Sequence, residues 1–275
     1  MLRIPDSVMP HVRRFGFSGL VAVGIVVVML FGINPVTILT GQVATPNPYS
    51  ILESLEAVEA RGEPREVVIE AVNRETNGFW ERAFRQAAIH YPPVTLTSVA
   101  DRSGIGCGLG GSAIGTVYCP ADHTIYVDMA NYAALAERHP GMADKVQAYL
   151  IGRAYGHHVQ EALGLFAQLA ETRANGTPEE IVMLEQRLSA QAECHAGAWT
   201  KFAGLEVLPD DPAFLAALAD ASRPQEAAAM PSRSEAIVPA LLTPAPPDFA
   251  REWFDAGYAI PAGGTCRLEK IGTPG

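Results

Sequence analysis

The chain is sparing with several residue types, and each shortage excludes something. Of its 275 residues only 8% are aromatic, 18% are charged and four are cysteine. Four cysteines are too few to build a disulfide-held miniprotein. Basic residues are in deficit, 20 Lys and Arg against 30 Asp and Glu, for a net charge of −10. That balance argues against a nucleic-acid partner, because phosphate binding needs a basic face. No G-K-[ST] triplet follows the glycine-rich run, so there is no phosphate loop, and no internal repeat is visible. What the chain does have is apolar material, 48% of residues. This is enough for a sizeable core and excludes wholesale disorder.

Charge is missing altogether between Phe15 and Leu52. Within that stretch Phe15 to Ile33 reads FGFSGLVAVGIVVVMLFGI, 19 residues. As a helix it would span about 28 Å, close to the thickness of a bilayer core. A cleaved signal peptide usually has a shorter apolar run of about 7–15 residues and a small-x-small cleavage site. No clean site of that kind follows here, so an uncleaved anchor is expected. Arg3, Arg13 and Arg14 precede the run, whereas Glu53, Glu56 and Glu59 are the first charges after it. The positive-inside rule then puts the N-terminus in the cytoplasm and the bulk of the chain outside the membrane. The expected organisation is a cytoplasmic segment 1–14, a transmembrane anchor 15–33, a linker 34–64 and one domain 65–275. An even number of cysteines in an extracytoplasmic domain suggests two disulfides. Cys107 and Cys119 flank a glycine-rich turn and form the natural local pair, which would leave Cys194 with Cys266; four cysteines nevertheless permit three connectivities.

Along the exported part, Phe79, Trp80, Ala83, Phe84, Ala87 and Ala88 share one helical face, and Pro92 and Pro93 are expected to stop that helix. Val94 to Val99 and Thr124 to Met129 alternate as strands. Helical patterns follow over Met142 to Leu163, Pro178 to Phe202, Pro212 to Ala221 and Asp248 to Ala256, the last two separated by a linker rich in Pro, Ala and Ser from Arg223 to Pro247. A small sheet followed by several helices predicts an α+β fold.

Two constellations could carry chemistry. Gly106 to Gly111 matches G-x-G-x-x-G, but a dinucleotide site needs those glycines between a strand and a helix. Here a cysteine sits inside the motif and a second strand follows, so a turn is expected. The informative segment is Tyr149 to Gly164, YLIGRAYGHHVQEALG. A helical zinc site wants histidines at i and i+4. His157 could be the second, but Arg153 stands where the first would be, and Ala154 stands where a general-base glutamate would be. R-A-Y-G-H thus occupies the place of H-E-x-x-H. His157 and its neighbour His158 point about 100° apart on a helix and cannot both bind one metal.

In this respect and several others the sequence resembles the bacterial, membrane-anchored neutral zinc metallopeptidase family, whose core motif is H-E-x-G-H-H-V-Q. Cys107-Gly108 and Tyr118-Cys119-Pro120-Ala121-Asp122 match an upstream C-G…Y-C-P-A-D segment, and the strand Ile125 to Asp128 follows it. RLSAQAECHAGAW, Arg187 to Trp199, matches R-L-E-L-Q-A-D-C-x-A-G-x-W. Trp253 to Tyr258 matches W-F-x-x-G-F, and Cys266 a terminal cysteine. The resemblance runs from about Val68 to Cys266.

It implies a zincin-like fold, in which two histidines and a later carboxylate hold zinc while the motif glutamate activates water. Carried over residue by residue, the site has lost most of its members. Arg153 replaces the first histidine, Ala154 the base and Ser189 the third ligand; Glu193 stands for the aspartate that orients the first histidine in zincins of this type. Only His157 survives as a ligand. An arginine about 4 Å from a dication would repel it by about 8 kcal/mol at an effective dielectric of 20, and arginine cannot deprotonate. Arg153 and Glu193 are therefore expected to form an ion pair that bridges the two helices in place of the metal.

The expected function is that of a membrane-anchored, catalytically inactive member of this family with no cofactor. It would bind peptide or protein segments by strand addition along Thr124 to Met129. One alternative is an active peptidase with zinc held by a rearranged set drawn from His157, Glu161, Glu193 and His195. Another is a structural envelope protein.

Overall fold

The computed structural model describes residues 61–101, 103, 105–109, 115–205, 211–221, 247–260 and 266. The chain separates into two compact units, residues 1–45 and 46–275, and every described residue belongs to the second. The expected cytoplasmic segment 1–14, the anchor 15–33, residues 34–60 of the first linker and 223–246 of the second lie outside the described residues. Among the described residues no helix is long and apolar enough to cross a membrane.

Seven helices and one three-stranded sheet make up the described fold, a mixed arrangement of the α+β kind. Helix α1, Arg65–Gln86, buries Val68, Val72, Thr76, Trp80 and Phe84, a stripe at every fourth position. Glu66 in its first turn and Arg85 in its last complement the helix dipole. The helix ends at Gln86, before the prolines expected to stop it. Ala88 lies outside it at φ 56°, a left-handed residue that continues no helix.

Strands β1 (Thr95–Val99), β2 (Thr116–Cys119) and β3 (Thr124–Asp128) follow, in spatial order β1-β3-β2. β1 runs parallel to β3 and β2 antiparallel to it. Every residue of β3 is buried, because both faces of the sheet are covered. One face joins the main core through Ile125 and Val127. The other carries a small cluster of Val99, Ile105, Leu109, Val117 and Tyr126 beneath the Cys107 loop. Cys107 is disulfide-bonded to Cys119 at the end of β2. β3 ends one residue earlier than expected: Asp128 accepts hydrogen bonds from Ala130 N (3.0 Å) and Asn131 N (3.1 Å), which makes it the N-cap of the next helix.

That helix, α2 (Met129–Arg138), leads to α3 (Ala143–Ala162), α4 (Leu165–Asn175), α5 (Pro178–Phe202), α6 (Pro212–Ala221) and α7 (Pro247–Ala259). α5 starts where Thr177 and Glu180 form a reciprocal capping box with Pro178 at the first turn. α3 is the central element, buried nearly all the way round and packed against α1, β2 and α5. Small residues let its neighbours approach. A Cβ on Gly156 would lie 3.0 Å from the Ala192 carbonyl of α5, and one on Gly257 of α7 only 2.0 Å from that of Cys194. A second disulfide, Cys194–Cys266, ties α5 to the C-terminal segment.

Candidate functional site

The helix pair α3 and α5 brings Arg153 and Glu193 together. Arg153 Nε donates to Glu193 Oε1 at 2.6 Å, and its Nη2 donates to Ser189 Oγ at 3.1 Å. Both side chains are withdrawn from solvent, the guanidinium 13% exposed and the carboxylate 3%. The other carboxylate oxygen of Glu193 accepts from the Tyr149 hydroxyl, one helical turn before Arg153. Burial, and then the Glu193 charge, hold the Tyr149 phenol well above its ordinary range, so it stays a donor. An anion in the interior is thus answered by one guanidinium and one hydroxyl. Such an arrangement is required if a buried carboxylate is to remain charged. Ala154 is buried in the apolar core and carries no group that could act as a base.

His157 is buried next to this pair. Its Nδ1 lies 2.9 Å from Gln160 Oε1, and its Nε2 has no hydrogen-bond partner. Burial, followed by the Arg153 charge, lowers its pKa to about 3, so the ring is neutral. Gln160 in turn donates to Leu188 O at 2.6 Å and to Gln191 Oε1 at 3.0 Å, and Gln191 donates to Cys266 O at 2.6 Å.

His158 turns the other way, as two adjacent helical positions must. Its Nε2 donates to Pro92 O at 3.1 Å, and its Nδ1 sits 3.0 Å from the Tyr118 hydroxyl on β2. Burial lowers this ring to about 4, against the opposing effect of the Pro92 carbonyl. Tyr118 gives its one hydroxyl proton to Glu161 Oε2, which lies 3.4 Å from His123 Nδ1. This cluster fastens the β2–β3 hairpin to the end of α3. Asp122 in the same hairpin is likewise a structural residue, accepting from Thr124 N at 3.0 Å and from the Tyr126 hydroxyl at 2.7 Å.

The substitute metal ligands are not assembled. Glu161 faces Tyr118 and His123 instead of His157, and Glu193 is engaged by Arg153 and Tyr149. His195 packs edge-on to Trp80 with ring centroids 5.1 Å apart; its Nε2 is unpartnered, and burial lowers its pKa to about 3. Among the described residues no three His, Cys, Asp or Glu side chains are placed to hold a metal ion. The donor set does not fit zinc either. A fixed cation lies among the groups a dication would need, and one imidazole is too few where catalytic zinc takes three protein ligands. Sequence reasoning missed Tyr149, Gln160, Gln191 and Tyr118 as members of these networks. The one available signal was that the two glutamines and Tyr118 coincide with motif letters.

The family described as "Putative neutral zinc metallopeptidase" matches residues 10–267. The chain is 29% identical to the uncharacterized protein YpfJ of Escherichia coli K12 over 185 residues, 67% of this chain and 63% of that one. It is 35% identical to the uncharacterized protein Rv2575 of Mycobacterium tuberculosis H37Rv over 101 residues, 36% of this chain and 33% of the relative. The matched region therefore spans less than two thirds of the length of these relatives. No solved structure matches. With a match across nearly its whole length, the chain belongs to the neutral zinc metallopeptidase family.

Proposed function

We propose that this chain is a non-catalytic member of its family, with a zincin-like domain held outside the membrane by an N-terminal anchor and used to bind extended peptide segments. The observation that carries this reading is the Arg153–Glu193 ion pair, which uses the carboxylate and fixes a positive charge at the position of the first ligand. Peptide hydrolysis on a zincin plan needs a metal to polarise the carbonyl and a base to activate water. Ala154 supplies no base. The apolar run at 15–33 and the arginines before it support the anchor and the orientation. Both disulfides suit an oxidising compartment.

The expected peptide-binding strand needs correction. Thr124 to Asp128 is the central strand, paired on both sides, and it offers no free edge. Among the described residues β1 is an edge strand with half-exposed or exposed positions along most of its length. Thr95 N donates to His123 O at 3.0 Å, towards β3, so by alternation the Leu96 and Ser98 N–H groups point outwards. A peptide adding to this edge would use them. The test is binding of a random extended-peptide library to the full-length chain in detergent, compared with Ser98→Pro, which removes one outward donor at a position where an edge strand tolerates proline. Binding lost in the variant supports the reading. Undiminished binding, or turnover of any peptide, refutes it.

A further inference from the structure

A concavity of about 490 Å³ opens at the start of the edge strand β1, where residues 89–94 run back alongside α1. Asn77, Glu81 and Arg85, one helical turn apart, line it from α1, and Ile89, Pro93 and Val94 line it from the other side. Its charged groups are not consumed by one another. Glu81 Oε1 accepts from Asn77 Nδ2 at 2.8 Å. The Arg85 guanidinium has neither an ion pair nor a hydrogen bond among the described residues. Nor is it needed to finish the helix. The Ala83, Phe84 and Arg85 carbonyls are met by the N–H groups of Ala87, Ile89 and Ala88 at 3.1, 3.0 and 3.2 Å. Ile89, in the same lining, leaves an apolar side chain 45% exposed. A free cation and an open apolar side chain in one hollow suit a ligand that carries an anion next to an apolar group.

The strand beside the hollow says which ligand brings that pair. Outward N–H groups on this edge fall at alternate residues, Ser98, Leu96 and, by continuation, Val94. Pro93 has no N–H, so the row of donors stops where the hollow begins. A peptide pairing antiparallel to β1, the more stable of the two senses, runs from Ser98 towards Val94 and brings its carboxyl end there. We propose that this hollow captures the carboxyl-terminal residue of a peptide added to β1, with the free carboxylate on Arg85 and the terminal side chain against Ile89 and Val94. The proposal rests on the reading that β1 receives peptides, and it adds which end is recognised and by what. Glu81, one turn before Arg85, narrows the choice. Its charge repels a second acidic group, so a C-terminal Asp or Glu is disfavoured and an apolar residue preferred.

Two random decapeptide libraries of the same composition test this on the full-length chain immobilised in detergent, one ending in a free carboxylate and one in a carboxamide. The free-acid library should be retained roughly tenfold more strongly, the size of one charge-assisted pair, with apolar residues enriched at the last position. Arg85→Gln should bring it down to the level of the carboxamide library and leave the latter unchanged, which shows that the variant is folded. Ser98→Pro should lower both. Equal retention of the two libraries, or an excess that survives either substitution, would overturn the proposal. If equal retention still fell in Ser98→Pro, peptide addition to β1 would stand without it. Retention of neither library would overturn both.

Discussion

His157 and His158 are neighbours in sequence, equally buried and equally neutral, yet they do different things. His158 faces the sheet, where its Nε2 donates to the Pro92 carbonyl and its ring packs edge-on to Tyr91 and Tyr118. His157 is held through Nδ1 by Gln160 of its own helix, and its buried Nε2 has no hydrogen-bond partner. His158 is thus a cross-link between α3 and the segment before β1. His157 instead ties into the amide chain that runs through Gln160 and Gln191 to the C-terminal segment. The two rings thus serve opposite sides of α3, and the Arg153–Glu193 pair lies on the side that meets α5.

Acid should expose what the two histidines share. His157 and His195 are lowered to about 3 and His158 to about 4, below the roughly 6.5 of an unfolded chain. Between these values the unfolded state binds more protons, so stability falls as pH drops below about 6.5 and continues to fall towards pH 4. With all three contributing, the slope approaches roughly 4 kcal/mol per pH unit near pH 5. Urea denaturation across pH 4–8 measures it, and His157→Leu should reduce the slope by about one proton's share.

Glu193→Ala breaks the contact between α3 and α5 directly. It removes the carboxylate that balances the Arg153 cation and should cost about 3–5 kcal/mol in the same denaturation assay. A loss near zero would mean that the pair contributes nothing to holding α3 and α5 together. The comparison between the histidines sharpens with paired substitutions. His158→Leu takes the donor from the Pro92 carbonyl and the edge-on ring contacts with Tyr91 and Tyr118, and should cost roughly 2–4 kcal/mol. His157→Leu leaves only the Gln160 oxygen unanswered and removes a bare nitrogen, and should cost roughly 1–2 kcal/mol. The reverse order would contradict their assigned roles. The smallest effect belongs to Arg138, whose side chain is 45% exposed in its pair with Asp220. Arg138→Ala should change stability by no more than about 1 kcal/mol, measured in parallel as the exposed counterpart of Arg153.

Some of this was legible from residue order alone. α5 announced its start through Thr177-Pro178 and Glu180, and α3 through its apolar period. Arg153 and Glu193 could be paired in advance because both fall at motif positions that face one another. Other elements were hidden for physical reasons. β2 is four residues long and emerges from a glycine-rich loop, so it offers too little alternation to read. α2 begins immediately after β3, and its cap, Asp128, reads as the last strand residue. α4 starts just beyond Gly164, which at φ 78° breaks the chain direction after α3. The central place of β3 follows from strand order, which alternation does not encode. The amide chain joins residues 160, 191 and 266 only after α3, α5 and the C-terminal disulfide have met. Both glutamines coincide with motif letters, but a helical stretch does not say that they touch.

The central claim is that an arginine stands in the metal's place. It is tested most directly by the zinc content of the full-length chain, purified in detergent and dialysed against metal-free buffer, measured by elemental mass spectrometry. The account predicts less than about a tenth of an equivalent, since one imidazole beside a fixed cation cannot hold zinc through dialysis. Close to one equivalent, lost on His157→Ala, would contradict it.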